Sequence, residues 1–158
     1  MRVYADTSFL VKLLTPEPGT SSAIANYRRL GRPAVYFLPI HRLEVANAIR
    51  QKAFHQCRTV PAGGRSFIKK ERDSAFAVLQ KYISRKTFIE ISQDMEIAID
   101  RAGQLSEKYT ERLGCRGFDL LHVALALELE CEIFLTCDGI QGGLAHAEGL
   151  DVTINSEE

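Results

Sequence analysis

The sequence predicts an α/β fold built from βαβ units, with a parallel sheet covered by helices on both faces. Three observations lead there. Short β-prone runs alternate along the chain with helical segments of about ten or more residues. Most of those runs are apolar throughout, as strands buried on two sides must be. The 158 residues, 46% apolar and 25% charged, are enough to bury roughly two thirds of their unfolded surface without a disulfide or metal staple.

The elements follow in order. Arg2–Ala5 is β-prone, and Asp6, Thr7 and Ser8 cap a brief apolar helix, Phe9 to Leu14, that stops at Thr15-Pro-Glu-Pro-Gly19. Thr20-Ser-Ser22 opens a second helix through Leu30, ended by Gly31 and Pro33. Ala34–Leu38 is a buried strand, and Pro39 fits the first turn of the next helix. There Leu43, Ala46, Asn47, Ile49, Arg50 and Ala53 recur at helical spacing. Val60-Pro-Ala-Gly-Gly64 is a break. A long helix from Ser66 to Ser84 is expected to carry Phe67, Ala75, Val78, Leu79 and Tyr82 inward. Thr87–Ile91 alternates as a third strand. The helix from Asp94 to Leu113 sets Ile97, Ala98, Ala102, Leu105 and Tyr109 on one side. Phe118–Leu129 is a nearly all-apolar helix, Ile133–Thr136 a strand, Ile140–Glu148 a short helix and Val152–Ile154 a last strand. No repeat, low-complexity tract or linker divides the chain, so residues 1–158 are expected to form one domain.

Twenty Lys and Arg balance twenty Asp and Glu, but the signs are separated. From Arg50 to Arg72 there are seven basic residues (Arg50, Lys52, Arg58, Arg65, Lys69, Lys70 and Arg72) against one acid, Glu71. After Arg116 no Lys or Arg occurs, while nine acids follow, Glu157 and Glu158 among them. Such a distribution suits one face that attracts a polyanion and one region that concentrates carboxylates, or else a pair of solvated helix faces. No run of 18 apolar residues exists, so no membrane span is expected. An acid at position 6 with no apolar stretch before it argues against a signal peptide. Cys57, Cys115, Cys131 and Cys137 form no C-x-x-C pair and are expected to be reduced, buried thiols of a cytoplasmic protein.

A site in such a sheet belongs at the carboxyl ends of the strands. Asp6 directly follows the first strand, and Asp138 follows Ile133–Thr136 after one residue. Glu44 lies in the first turns after the Ala34–Leu38 strand, and Asp119 opens the apolar helix. Taken singly, each has a plain reading: Asp6 and Asp119 as helix N-caps, Asp138 as a turn residue, Glu44 as a surface residue. Taken together, four carboxylates at one sheet edge repel each other unless a cation sits among them. Mg²⁺ or Mn²⁺, hard and oxygen-liganded, suits that set. Bound there, such an ion holds a phosphate and activates a water. Other acid-dependent classes fit poorly. A haloacid-dehalogenase-like phosphatase needs a second Asp where Ser8 stands, and a receiver domain needs a late Lys, absent after Arg116.

Four blocks then carry a resemblance: Asp6-Thr-Ser-Phe-Leu-Val-Lys-Leu-Leu14, Leu43-Glu-Val-Ala-Asn-Ala-Ile49, Phe118-Asp-Leu-Leu-His-Val-Ala-Leu-Ala126 and Phe134-Leu-Thr-Cys-Asp138. In this order they resemble the PIN-domain family, and within it the VapC-type toxin ribonucleases of prokaryotic toxin–antitoxin pairs. The resemblance runs from Val3 to about Ile154 and implies a three-layer, Rossmann-like α/β/α sandwich with a mainly parallel sheet. It also implies a Mg²⁺- or Mn²⁺-dependent endoribonuclease whose acids match Asp6, Glu44, Asp119 and Asp138. The implied partners are RNA, a cognate antitoxin and a second copy of the chain. The alternative is a PIN-fold RNA-binding or housekeeping RNA-processing protein without a toxin role. One departure is the segment from Arg50 to Tyr82, which looks longer than in the most compact members.

On this reading Asp6 and Asp119 hold the principal metal, while Glu44 and Asp138 complete the site. Ser8 and Thr136 offer hydroxyls to a carboxylate or a metal water, unless they cap backbone instead. His122, on nearly the same helix face as Asp119, is expected in the core or supporting the acids, with substrate contact as the alternative. Lys12, Arg50, Lys52, Arg58, Arg65, Lys69 and Lys70 are the candidate RNA contacts, with His41, Arg42 and His55 as possible additions. For Lys12 the alternative is a solvated or snorkelling lysine. Tyr36, Phe37 and Phe54 are spaced for the core rather than for base stacking.

Overall fold

The computed structural model describes residues 1–154; Glu157 and Glu158 lie outside the described residues. Five strands, β1 (Val3–Ala5), β2 (Val35–Phe37), β3 (Phe88–Glu90), β4 (Ile133–Thr136) and β5 (Asp151–Ile154), pair in the order β3-β2-β1-β4-β5. Every pair is parallel. Seven α-helices accompany them among the described residues: α1 (Thr7–Leu14), α2 (Thr20–Arg29), α3 (Pro39–Thr59), α4 (Arg65–Ser84), α5 (Met95–Leu113), α6 (Gly117–Glu128) and α7 (Gly139–Ala147).

The pleat sends alternate strand residues to opposite faces. Val3, Ala5, Val35, Phe37 and Leu135 pack against α1 to α4, with Phe9, Leu10, Val45, Ile49 and Leu79 in that layer. Tyr4 and Phe134 pack against α5 to α7, with Leu105, Tyr109, Val123 and Leu144. The result is the three-layer α/β/α sandwich with a parallel sheet that the sequence predicts. Aromatic stacks knit neighbouring strands together, one on each face of the sheet: Phe37 on Phe88 at 5.5 Å and Phe134 on Tyr4 at 5.6 Å between ring centroids. Leu10, Val11 and Leu14 are buried in the core.

Helix phase is where the sequence misleads. Leu43, Phe67 and Ile97 are exposed, at 69%, 64% and 50%. The buried stripe of α3 is His41, Val45 and Ile49, and Leu43 sits two residues off it, across the helix. On α4 the stripe is Ile68, Ala75 and Leu79. The far halves of α3 and α4 pack on each other as an antiparallel hairpin rather than on the sheet, with Arg50 stacked over the Phe76 ring. Phe54 and Phe67 therefore have no sheet to cover them, and the core placement of Phe54 is corrected. Phe37 is buried and Tyr36 half-buried. All four cysteines are free, but only Cys115 and Cys131 are buried, while Cys57 and Cys137 are half-buried. No helix among the described residues is long and apolar enough to cross a membrane.

Glu148, at the end of α7, anchors that helix to α5. Its carboxylate accepts from Lys108 Nζ at 2.8 Å and Tyr109 Oη at 2.6 Å, and pairs with Arg101 at 3.5 Å. Burial alone would raise its pKa, but the hydrogen bonds from Lys108 and Tyr109 hold it below the ordinary 4.5. A carboxylate with a depressed folded pKa stabilises fully above its unfolded value and loses that contribution as pH falls through the folded one. Glu148→Gln should therefore cost about 1–3 kcal/mol at neutral pH. The gap from wild type should close in urea melts taken at successively lower pH below 4.5.

Candidate active site

β1 and β4 are neighbours, with Ala5 opposite Leu135. The strand order reverses between them, and the crevice beyond the carboxyl ends of such strands is where α/β sheets bind ligands. Asp6 and Asp138 are delivered to that crevice from the two strand ends.

Asp6 is 4% exposed and caps α1, its Oδ1 accepting from the Phe9 N–H at 2.9 Å. Ser8 Oγ lies 2.8 Å from both carboxylate oxygens, and Thr136 Oγ1 donates to Oδ2 at 2.9 Å. Burial raises the Asp6 pKa despite these donors and the nearby His122. A carboxylate taken out of water in this way favours a cation beside it. Asp138 caps α7, its Oδ1 accepting from the N–H groups of Ile140 and Gln141 at 2.8 and 3.0 Å.

Asp119 is not the N-cap of α6. That position is Arg116, and Asp119 reaches back from the first turn to accept the Arg116 N–H at 3.0 Å. The Arg116 guanidinium then bridges two acids, Nε to Asp119 Oδ2 at 3.1 Å and Nη2 to Asp138 Oδ2 at 3.2 Å.

Glu44 completes the set from the second turn of α3. Its Oε2 accepts from Thr7 Oγ1 at 2.7 Å and meets His122 Nε2 at 2.7 Å. A carboxylate oxygen only accepts, so His122 Nε2 carries the proton. In the neutral ring, Nδ1 then accepts from the Tyr4 hydroxyl 2.8 Å away. Burial pushes the Glu44 pKa up, but the His122 and Thr7 bonds outweigh it and hold the carboxyl below its ordinary range. His122 is thus a buried residue hydrogen-bonded to Glu44. Asp6, Glu44, Asp119 and Asp138 line one depression of about 160 Å³, with Ser8 and His122 in its wall.

A family model described as PIN domain matches residues 3–146. The chain belongs to the PIN-domain family. Membership implies a metal-dependent nuclease, a hydrolase acting on nucleic acid. No curated protein matches the chain.

In this PIN domain the donors suit a hard divalent ion, being carboxylate and hydroxyl oxygens. Asp119 Oδ1 and Glu44 Oε1 accept no hydrogen bond among the described residues. Among those residues no three or more His, Cys, Asp or Glu side chains stand close enough together to hold a metal ion between them. Mg²⁺ retains several waters and commonly takes only one or two carboxylates directly, so an open set is compatible with it.

The basic candidates sit elsewhere. At 1.5 Å per residue along α3, Arg50 and Arg58 lie about 9 Å and about 21 Å beyond Glu44. Arg50, Arg58, Arg65, Lys69 and Lys70 are exposed on the α3–α4 hairpin. Lys52 is half-buried and donates to the Pro16 carbonyl at 2.6 Å. Lys12 is a correction: it is neither solvated nor at the surface but 3% exposed, donating to the Pro18 carbonyl at 2.6 Å. His41 is likewise no surface residue; it is fully buried and accepts the Leu38 N–H at Nδ1. Sequence reasoning missed Tyr4, Thr7, Arg116, Phe118 and Gln141, the last buried and 3.1 Å from Thr136 Oγ1. A signal existed for two of them. Thr7 follows the strand-end acid, and Arg116 is the last cation before the acidic stretch.

Proposed function

We propose that this PIN domain is a Mg²⁺- or Mn²⁺-dependent endoribonuclease and the toxin of a toxin–antitoxin pair. The observation that carries the nuclease reading is the meeting of four carboxylates, from four separate segments, in one depression at the point where the strand order reverses. Asp6 and Asp119 would hold the ion, directly or through water, while Glu44 and Asp138 would complete its surroundings. What the ion supplies when bound is charge for a phosphate and a more acidic water. The chain's own residues set the stage. Ser8 and Thr136 fix both oxygens of Asp6. Thr7 and His122 engage Oε2 of Glu44, leaving Oε1 to orient a water. The toxin role, the antitoxin partner, the homodimer and the cytoplasmic setting rest on the VapC-like motifs.

Labelled single-stranded RNA should be cut when Mn²⁺ is added and spared when a chelator is present. A calorimetric Mn²⁺ titration should give binding heat with wild type and little with Asp6→Asn. Cleavage undiminished by the chelator, or equal heat from both proteins, would sink the assignment. A small neighbouring reading frame whose product blocks cleavage would support the toxin role.

The exposed hairpin is the proposed grip on the RNA backbone. Phosphate contacts release counterions, so affinity falls with salt, at about 0.7 per contact in log–log slope for a single strand. Replacing Lys69 and Lys70 together by Gln should lower that slope by about 1.4. Anisotropy titrations across a salt series would measure it, and an unchanged slope would place the RNA elsewhere.

A further inference from the structure

We propose that Phe118 and Arg116 form a subsite for one unpaired nucleotide beside the four acids: the base stacks on the Phe118 ring and a neighbouring phosphate is held by Arg116. This rests on the nuclease reading above and names how the substrate is received.

An open groove of about 470 Å³ runs along the start of α6, lined by Glu44, Arg116, Phe118, Asp119 and Leu121. Its volume is within the range of small-molecule sites. Glu44, Arg116, Phe118 and Asp119 also line the acidic depression, so groove and depression are continuous. Phe118 is 59% exposed. The core contacts of α6 are made by Leu120, Val123, Ala124 and Leu125, so the fold does not require an aromatic ring at position 118. A single exposed apolar residue is ordinary. An exposed aromatic ring lining a groove, next but one to an arginine and beside the acids, is the arrangement that receives a base and its phosphate. Every base has a π-face, so such stacking tolerates any sequence.

Arg116 supplies the complementary charge. Its side chain is 77% exposed, and Nε and Nη2 are the atoms that engage Asp119 and Asp138. A guanidinium has five N–H donors, and Nη1 donates to no carboxylate among the described residues. Arg116 therefore tempers the repulsion between the acids and a polyanion while keeping donors for a phosphate. A duplex would hide its base faces from Phe118, so the occupant is a single strand or a loop.

The chain contains no Trp, which makes Phe118→Trp a reporter. Single-stranded RNA, added in chelator, should quench the introduced indole in step with the anisotropy rise of the labelled strand. Phe118→Ala should weaken binding about tenfold and raise KM more than it lowers kcat, with Phe118→Trp restoring both. Arg116→Ala should reduce the salt slope by about 0.7. An indole that stays silent while anisotropy reports binding overturns the subsite, as does a wild-type KM in Phe118→Ala. If wild type cuts RNA with Mn²⁺ and the indole is silent, the subsite alone fails. If wild type neither binds nor cuts RNA, the nuclease reading fails and the subsite with it.

Discussion

Asp6→Asn and Asp119→Asn should each lower RNA cleavage about a thousandfold, equivalent to about 4 kcal/mol of transition-state stabilisation. The amide keeps the shape of the carboxylate and can still cap a helix. It removes a negative charge from the set that would hold the ion. At Asp6 the substitution should not harm the fold. Burial raises that carboxyl's pKa, so its ionised form is disfavoured in the folded protein. Exchanging the anion for a neutral isostere removes that penalty, which offsets the hydrogen bond that the amide nitrogen cannot accept, and the melting temperature in chelator should stay close to wild type. At Asp119 the lost partner is the largely exposed Arg116, and exposed ion pairs contribute little. Cleavage of labelled RNA with Mn²⁺, beside thermal melts in chelator, separates the outcomes. Wild-type rates from either variant would refute the assignment of these acids.

The second large effect lies in the core. Phe134→Ala should cost about 3–5 kcal/mol, a large share of the 5–15 kcal/mol typical of a folded domain. Phe134 is fully buried on β4 and stacks on Tyr4 at an interplanar angle of 6°. Urea unfolding should show the loss as a lower midpoint with little change in slope. Phe67→Ala, at the exposed start of α4, is the control and should change stability by no more than about 0.5 kcal/mol. The core change also reaches the site. Tyr4 bonds His122, and His122 bonds Glu44, so removing the ring beneath Tyr4 loosens the support of one acid. Equal losses from Phe134→Ala and Phe67→Ala would contradict the burial on which this rests.

Much of the site's frame was legible because the acids follow strand ends. Asp6 comes directly after β1 and Asp138 just after β4, and a parallel sheet must bring such positions to one edge. Helix faces were less legible. A period of 3.6 says that a helix has an apolar side, but not what covers each part of it. In α3 and α4 the partner changes from sheet to neighbouring helix along their length, so Phe54 and Phe67, expected in the core, face solvent. The burial of Lys12 is hidden in the sequence for a related reason: nothing local to an apolar helix announces that the following Pro-rich loop will bring the Pro18 carbonyl over its ammonium. Arg116 and Phe118 gain their meaning from a groove that exists only once the fold brings Glu44 to the start of α6.

The adjacency of β1 and β4 has a consequence for synthesis. Thr136 donates to Asp6 across 130 positions of chain. A nascent polypeptide therefore presents its first acid long before the strand that must lie beside it has left the ribosome. The depression that the four acids share is lined by residues on both sides of that late strand, Asp6 before it and Asp138 after it. A nuclease assembled in this way gains its acidic depression only after β4 has been made and laid beside β1.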